Sequence, residues 1–163
     1  MSARVSKMLV VLPVVLFLDG ALSAAAAAGH RPSMHGHTPH VRSIVGTWIV
    51  EDAAAPFPFH MYVFNADGTM QQANPDAGDA KTSDSDGKGI WVATGDRIKG
   101  KWVEITADRA THKFAGRLEL SFDIRVQADR LTGSRSATPF DADGKPSGGP
   151  FQGDFTGTRV TLP

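Results

Sequence analysis

Residues 116–127 read GRLELSFDIRVQ, and their alternation decides the fold class. Leu118, Leu120, Phe122, Ile124 and Val126 fall on one parity, and Arg117, Glu119, Ser121, Asp123, Arg125 and Gln127 on the other. Successive side chains of a strand point to opposite faces, so this is a strand with one buried and one wet face, as an antiparallel sheet allows. Downstream, Ala128-Asp129 turns the chain into a strand over 130–137, where Gly133 suggests a bend or bulge. A loop dense in turn residues (141–149) and a last strand (151–162) follow. Upstream, 107–114 is a polar connection. Before it, a strand over 97–106 sets Ile98, Gly100, Trp102 and Glu104 on one face against Lys99, Lys101, Val103 and Ile105 on the other. Neither face is clean, so pattern alone does not specify its register.

Further upstream, the apolar segment 57–64 meets the turn Asn65-Ala66-Asp67-Gly68, where Asp-Gly supplies the positive φ of a tight hairpin, and a more polar strand runs 69–73. A long loop is expected over 74–88, and a strand over 89–93 ends at Thr94-Gly95-Asp96. A loop of that length in a compact domain is functional or disordered. A first strand covers 44–50, and Pro56 and Pro58 keep the connection after it extended, with a short helical turn near Asp52 as the alternative. The count is about eight short strands with frequent turns and no long helix. The fold class is therefore all-β, a single eight-stranded antiparallel up-and-down barrel over 43–163, wide enough to fill with side chains or to hold one small ligand.

Residues 1–28 have the three-part form of a secretory signal peptide: Arg4 and Lys7, an apolar core over 8–18, and a small-residue run over 21–28 with A-x-A sites. Cleavage is expected near Ala28. The core is too short to span a bilayer, and the alternative is an N-terminal anchor helix. The expected product is periplasmic or secreted, with no stable membrane anchor. The whole chain has 17 Lys+Arg and 17 Asp+Glu; 1–28 holds Arg4, Lys7 and Asp19, which leaves 15 against 16. A nearly neutral domain has no field to attract nucleic acid. With no cysteine there is no disulfide and no thiol chemistry.

Residues 29–42 form a His-rich linker holding His30, His35, His37 and His40. They read either as a weak metal tether or as solvated chain. The second is preferred, since no carboxylate or Cys fixes a coordination geometry. No metal and no cofactor is expected.

Gly46-Thr47-Trp48 opens the first strand, and Gly157-Thr158-Arg159 lies in the last. The pair resembles the calycin superfamily of lipocalins and fatty-acid-binding proteins. There a G-x-W indole packs at the closed end of the barrel under an arginine from near the C-terminal end. The resemblance implies that Trp48 and Arg159 are a structural pair. The chain is also similar to bacterial lipocalin-like domains with F-x-A-D-G-T, G-x-W and T-G-T, here at 64–69, 89–91 and 156–158. It departs from typical lipocalins in lacking cysteines and a visible C-terminal helix. The resemblance implies binding of a small apolar molecule, although some related barrels are enzymes.

His60 and Tyr62, the chain's one tyrosine, share a strand face. Facing inward, they would form a polar pair able to move a proton and to donate to an oxyanion. The other parity, Phe57, Phe59, Met61 and Val63, is an equally permitted inward set. Asp84 and Asp86 sit in a D-x-D-G stretch that resembles part of a calcium loop but lacks its later Glu, so it reads as a solvated turn or as a lid carrying Asp84. Glu104 shares a face with Trp102; buried, it becomes a general-base candidate, and its alternative is a surface glutamate. His112, near Asp108, either completes a His/carboxylate set or is an exposed loop residue. Phe64, Trp91 and Trp102 either line a cavity or fill the core.

The expected function is binding of a small apolar or aromatic molecule. The alternatives are a cofactor-independent lyase, isomerase or cyclase built on His60, Tyr62, Asp84 and Glu104, and an envelope protein with a filled core and no ligand.

Overall fold

The computed structural model describes residues 44–76 and 80–163. The signal peptide and His-rich linker expected over 1–42, and Asp79, lie outside the described residues. The described strands are β1 (Gly46–Glu51), β2 (Phe59–Phe64), β3 (Thr69–Ala73), β4 (Thr82–Asp84), β5 (Gly87–Thr94), β6 (Arg97–Asp108), β7 (Phe114–Gln127), β8 (Arg130–Asp141) and β9 (Phe151–Arg159). β1 pairs with β2, β2 with β3, and β3 with β5; the meander then runs on through β9, which pairs back onto β1. All these pairings are antiparallel, so eight strands close into an up-and-down barrel.

β4 stands outside the ring of eight. It pairs with the end of β6, Asp84 opposite Thr106, on the edge that β5 occupies from Lys88 opposite Val103 onward. Between them the Ser85 N–H donates to the Ile105 carbonyl at 2.9 Å, and the Ser85 Oγ accepts from the Ile105 N–H at 3.0 Å. β4 and β5 thus behave as one strand broken at Ser85-Asp86. The long loop expected over 74–88 is corrected accordingly: its second half pairs with β6. Asp and Ser are depleted in strands, so neither propensity nor alternation marked this pairing.

Alternation directs Trp48, Tyr62, Phe64, Met70, Trp91, Ile98, Trp102, Leu120, Phe122, Ile124, Leu131 and Phe155 into one buried cluster. Rings meet edge-on: Tyr62 with Phe64 at 6.1 Å, Tyr62 with Phe155 at 6.0 Å, and Phe64 with Trp91 at 6.0 Å between centroids. Each such contact is worth about 0.5–1.5 kcal/mol beyond its buried area. Glycines on inward positions make room for these rings. Gly133 is paired in continuous register with Ile124 and Phe155, and a Cβ there would come within 2.6 Å of the Phe155 ring. Close packing, rather than the expected bend or bulge, explains this glycine.

One barrel end is closed by the first and last strands. Trp48 lies opposite Arg159, whose guanidinium sits 4.2 Å from the centre of the Trp48 ring. Arg159 donates to the Val45 carbonyl at 2.8 Å, and the Trp48 indole N–H donates to the Ile44 carbonyl at 2.8 Å. The Trp91 indole N–H reaches the Asn65 and Thr69 carbonyls at 3.1 and 3.0 Å. Trp91 and Phe64 therefore belong to the packed half of the barrel.

Candidate functional site at the barrel mouth

In a meander, alternate strand ends gather at one end of the barrel. The C-terminal ends of β1, β3, β6 and β8 and the N-terminal ends of β2, β5, β7 and β9 all lie opposite the Trp48 end. Here the inward positions change character. Asp52 follows β1, His60 and Tyr62 come from β2, Gln72 from β3, Trp102 and Glu104 from β6, and Arg135 from β8. Asp52, Gln72, Glu104 and Arg135 are buried although polar or charged.

The inward parity of β2 is the His60–Tyr62 one. Tyr62 and Phe64 are buried, His60 is partly buried, and Phe59 and Met61 are each 49% exposed. Both parities of this strand are apolar, so its own pattern carried no choice. Its neighbours made the choice, because Tyr62 lies opposite Trp48 and Gln72, which also face inward.

Gln72 orders the His60 ring. The Gly87 N–H donates to Gln72 Oε1 at 3.0 Å, which fixes the orientation of the amide. Gln72 Nε2 then donates to His60 Nδ1 at 3.1 Å and to Asn74 Oδ1. A nitrogen that accepts cannot carry the proton, so the neutral ring holds it on Nε2. Burial lowers the His60 pKa below its ordinary value; Asp52 and a backbone hydrogen bond with Phe57 act against that, and Arg135 adds to it.

Asp52 and Arg135 form a buried ion pair. Arg135 Nε donates to Asp52 Oδ2, Nη2 donates to Oδ1 at 3.2 Å, and Nη1 donates to the Phe151 carbonyl at 2.9 Å. Asp52 also holds the connection after β1: its Oδ1 accepts from the Ala54 N–H at 3.0 Å, and its own N–H donates to the Pro58 carbonyl at 2.8 Å. The pair pins that turn over β8 and the start of β9. Neither residue stood out in sequence. Arg135 did carry a signal, a charge on the same parity as Leu131 and Ala137, and a charge on an inner face requires a buried partner.

Glu104 is buried with no ion-pair partner among the described residues. Burial, reinforced by Asp84 and Asp86, pushes its carboxyl up to about 7. Asp84, opposite Thr106, shares the inner face of β6 but is exposed at the rim. Burial raises the Tyr62 pKa, so its hydroxyl stays protonated; the Trp102 indole N–H beside it offsets part of the rise without reaching hydrogen-bond geometry. Trp102 is 2% exposed, and its Nε1 has no hydrogen-bond acceptor among the described residues.

His112 is not part of this group. It is exposed in the β6–β7 turn with φ at 56°, where its N–H donates to the Asp108 carbonyl at 2.9 Å. No three His, Cys, Asp or Glu side chains among the described residues converge as metal ligands.

A separate open groove of about 640 Å3 runs over Glu51, Arg97, Asp123, Arg125, Ser134 and Asp154. These side chains have outward parity, and Arg97 donates to Asp123 Oδ1 at 2.6 Å. The groove lies on the outer wall. It mixes both signs of charge without a buried polar group. No family model matches the chain, and neither a curated protein nor a solved structure matches it.

Proposed function

We propose that the mouth of this barrel seats a small, largely apolar or aromatic molecule that carries an acceptor oxygen. The observation behind this reading is the Trp102 indole N–H, buried, beside the Tyr62 hydroxyl and without an acceptor of its own. A buried donor left unmade costs about 1–3 kcal/mol, and a ligand oxygen would recover that. Barrel mouths are common ligand sites, typically apolar with few polar groups. The closed eight-strand meander and the Trp48/Arg159 stack support a calycin-like assignment. Export to the periplasm or outside the cell belongs to the same reading and is supported by the form of residues 1–28.

A second reading, a cofactor-independent lyase or isomerase, is favoured by the Glu104 carboxyl, poised at about 7 inside a shielded site. Native mass spectrometry of the protein from its own source tests the seat. A retained small molecule, weakened in Trp102→Phe, is the expected result. The proposal is wrong if nothing is retained and saturation-transfer NMR also finds no contact with 2-acetylnaphthalene, a neutral aromatic ketone.

A further inference from the structure

We infer, resting on the small-molecule reading above, that the mouth takes a neutral, enolisable ketone and labilises its α-proton. Glu104 is the base, and the Tyr62 O–H and Trp102 N–H are the donors to the enolate oxygen.

The ligand's charge follows from what the mouth lacks. The buried guanidinium of Arg135 is closed on both sides, by the Asp52 carboxylate and the Phe151 carbonyl. A fatty acid carboxylate would find the buried Arg135 already paired and would meet Glu104, Asp84 and Asp86 instead. Amphipathic anions are therefore disfavoured, and a neutral carbonyl is the acceptor that suits two neutral donors.

The chemistry follows from the placement of donors and base. Tyr62 and Trp102 come from different strands, both buried on the inner face, and the unpartnered Trp102 N–H lies beside the Tyr62 hydroxyl, so the two donors sit side by side for a carbonyl oxygen. Such paired, preorganised donors stabilise charge as it develops on oxygen. Glu104 is two residues beyond Trp102 on the same face of β6, about 7 Å along the strand. That spacing fits a carbonyl and its α-carbon between donors and base. Glu104 carboxylate takes the α-proton. The C–H electron pair becomes the C=C bond, and the carbonyl π pair moves to oxygen as the enolate. The resulting carboxylic acid returns a proton to the same carbon, or to the γ-carbon of a conjugated ketone. Nothing is oxidised or reduced, and no co-reactant is consumed. His60 is not the base of this step, because Gln72 occupies its Nδ1 and leaves the neutral ring its proton on Nε2. It orders the wall instead.

The test uses 2-tetralone in D2O with the purified full chain. Saturation-transfer NMR reads binding, and loss of the α-proton signal reads exchange against a protein-free blank. Dodecanoate serves as the anionic comparison. The expected result is 2-tetralone binding in preference to dodecanoate, with exchange above blank. That exchange should fall about 100-fold or more in Glu104→Gln, which keeps binding and a native circular dichroism spectrum. Trp102→Phe and Tyr62→Phe should slow exchange about 10–1000-fold. Binding of 2-tetralone without exchange above blank overturns the enolisation and leaves the seat intact. Dodecanoate binding without 2-tetralone binding overturns the ligand class. Binding of neither overturns the seat itself.

Discussion

Glu104 is where a single residue should be visible in bulk stability. Its ordinary carboxyl value of 4.5 becomes about 7 in the fold, through burial and through Asp84 and Asp86. Between those values the native state holds a proton that the unfolded chain has released. Stability from this group is complete below the lower value, declines as pH rises through the window, and is gone above about 7. The amount is on the order of 3 kcal/mol. Glu104→Gln keeps the shape and removes the titration. The wild-type melting temperature should therefore fall between about pH 5 and about pH 8 by roughly 5–10 °C more than that of the variant. His60 titrates in both proteins, so the difference isolates Glu104; equal pH slopes would refute the burial of this carboxyl. Its burial was only half legible in sequence. The shared face with Trp102 could be read from β6, but that strand carries apolar residues on both faces. Gln72 was not legible at all, since its role depends on the Gly87 N–H across β3 and β5, a pairing made 15 residues away.

At the scale of elements, inward glycines decide how large side chains share the interior. Gly133 on β8 faces the Phe155 ring of β9, and a methyl there would come within 2.6 Å of it. Gly133→Ala should cost about 1–3 kcal/mol in urea unfolding through overpacking. Phe155→Leu in the same chain should recover a large part of that loss relative to Phe155→Leu alone, since it removes the colliding ring. Additive losses would mean that the glycine serves the backbone and not the ring. β7 and the β2–β3 hairpin were readable because a strict alternation and an Asp-Gly turn are local signals. β4 was not, because Thr-Ser-Asp gains its partner only when β6 runs on past β5. The ion pair of Asp52 with Arg135 was hidden for a related reason: it joins a turn to a strand 83 residues away.

At the scale of the whole fold, the described strands close a ring of hydrogen bonds with a seam between β9 and β1. Trp48 faces Arg159 across it, and the Val160 N–H donates to the Thr47 carbonyl at 2.8 Å. The segments around Ile44 and Val160 therefore run side by side. A ring has no privileged first strand. Residue 163 can be joined to residue 44 through a few Gly and Ser residues and the chain cut open within 142–150, an exposed turn stretch. The circular permutant keeps every strand pairing, and its seam becomes an ordinary hairpin between β9 and β1. Exposed loops tolerate such cuts best. The permutant should show the native circular dichroism spectrum and melt within about 10 °C of the 44–163 parent, the loss being one loop constraint. A collapse to an unfolded chain would mean that β8 must deliver β9 to the seam in sequence order. If the permutant folds, its new termini lie beside the polar mouth, where a fused domain can be set at the rim without touching the Trp48 end.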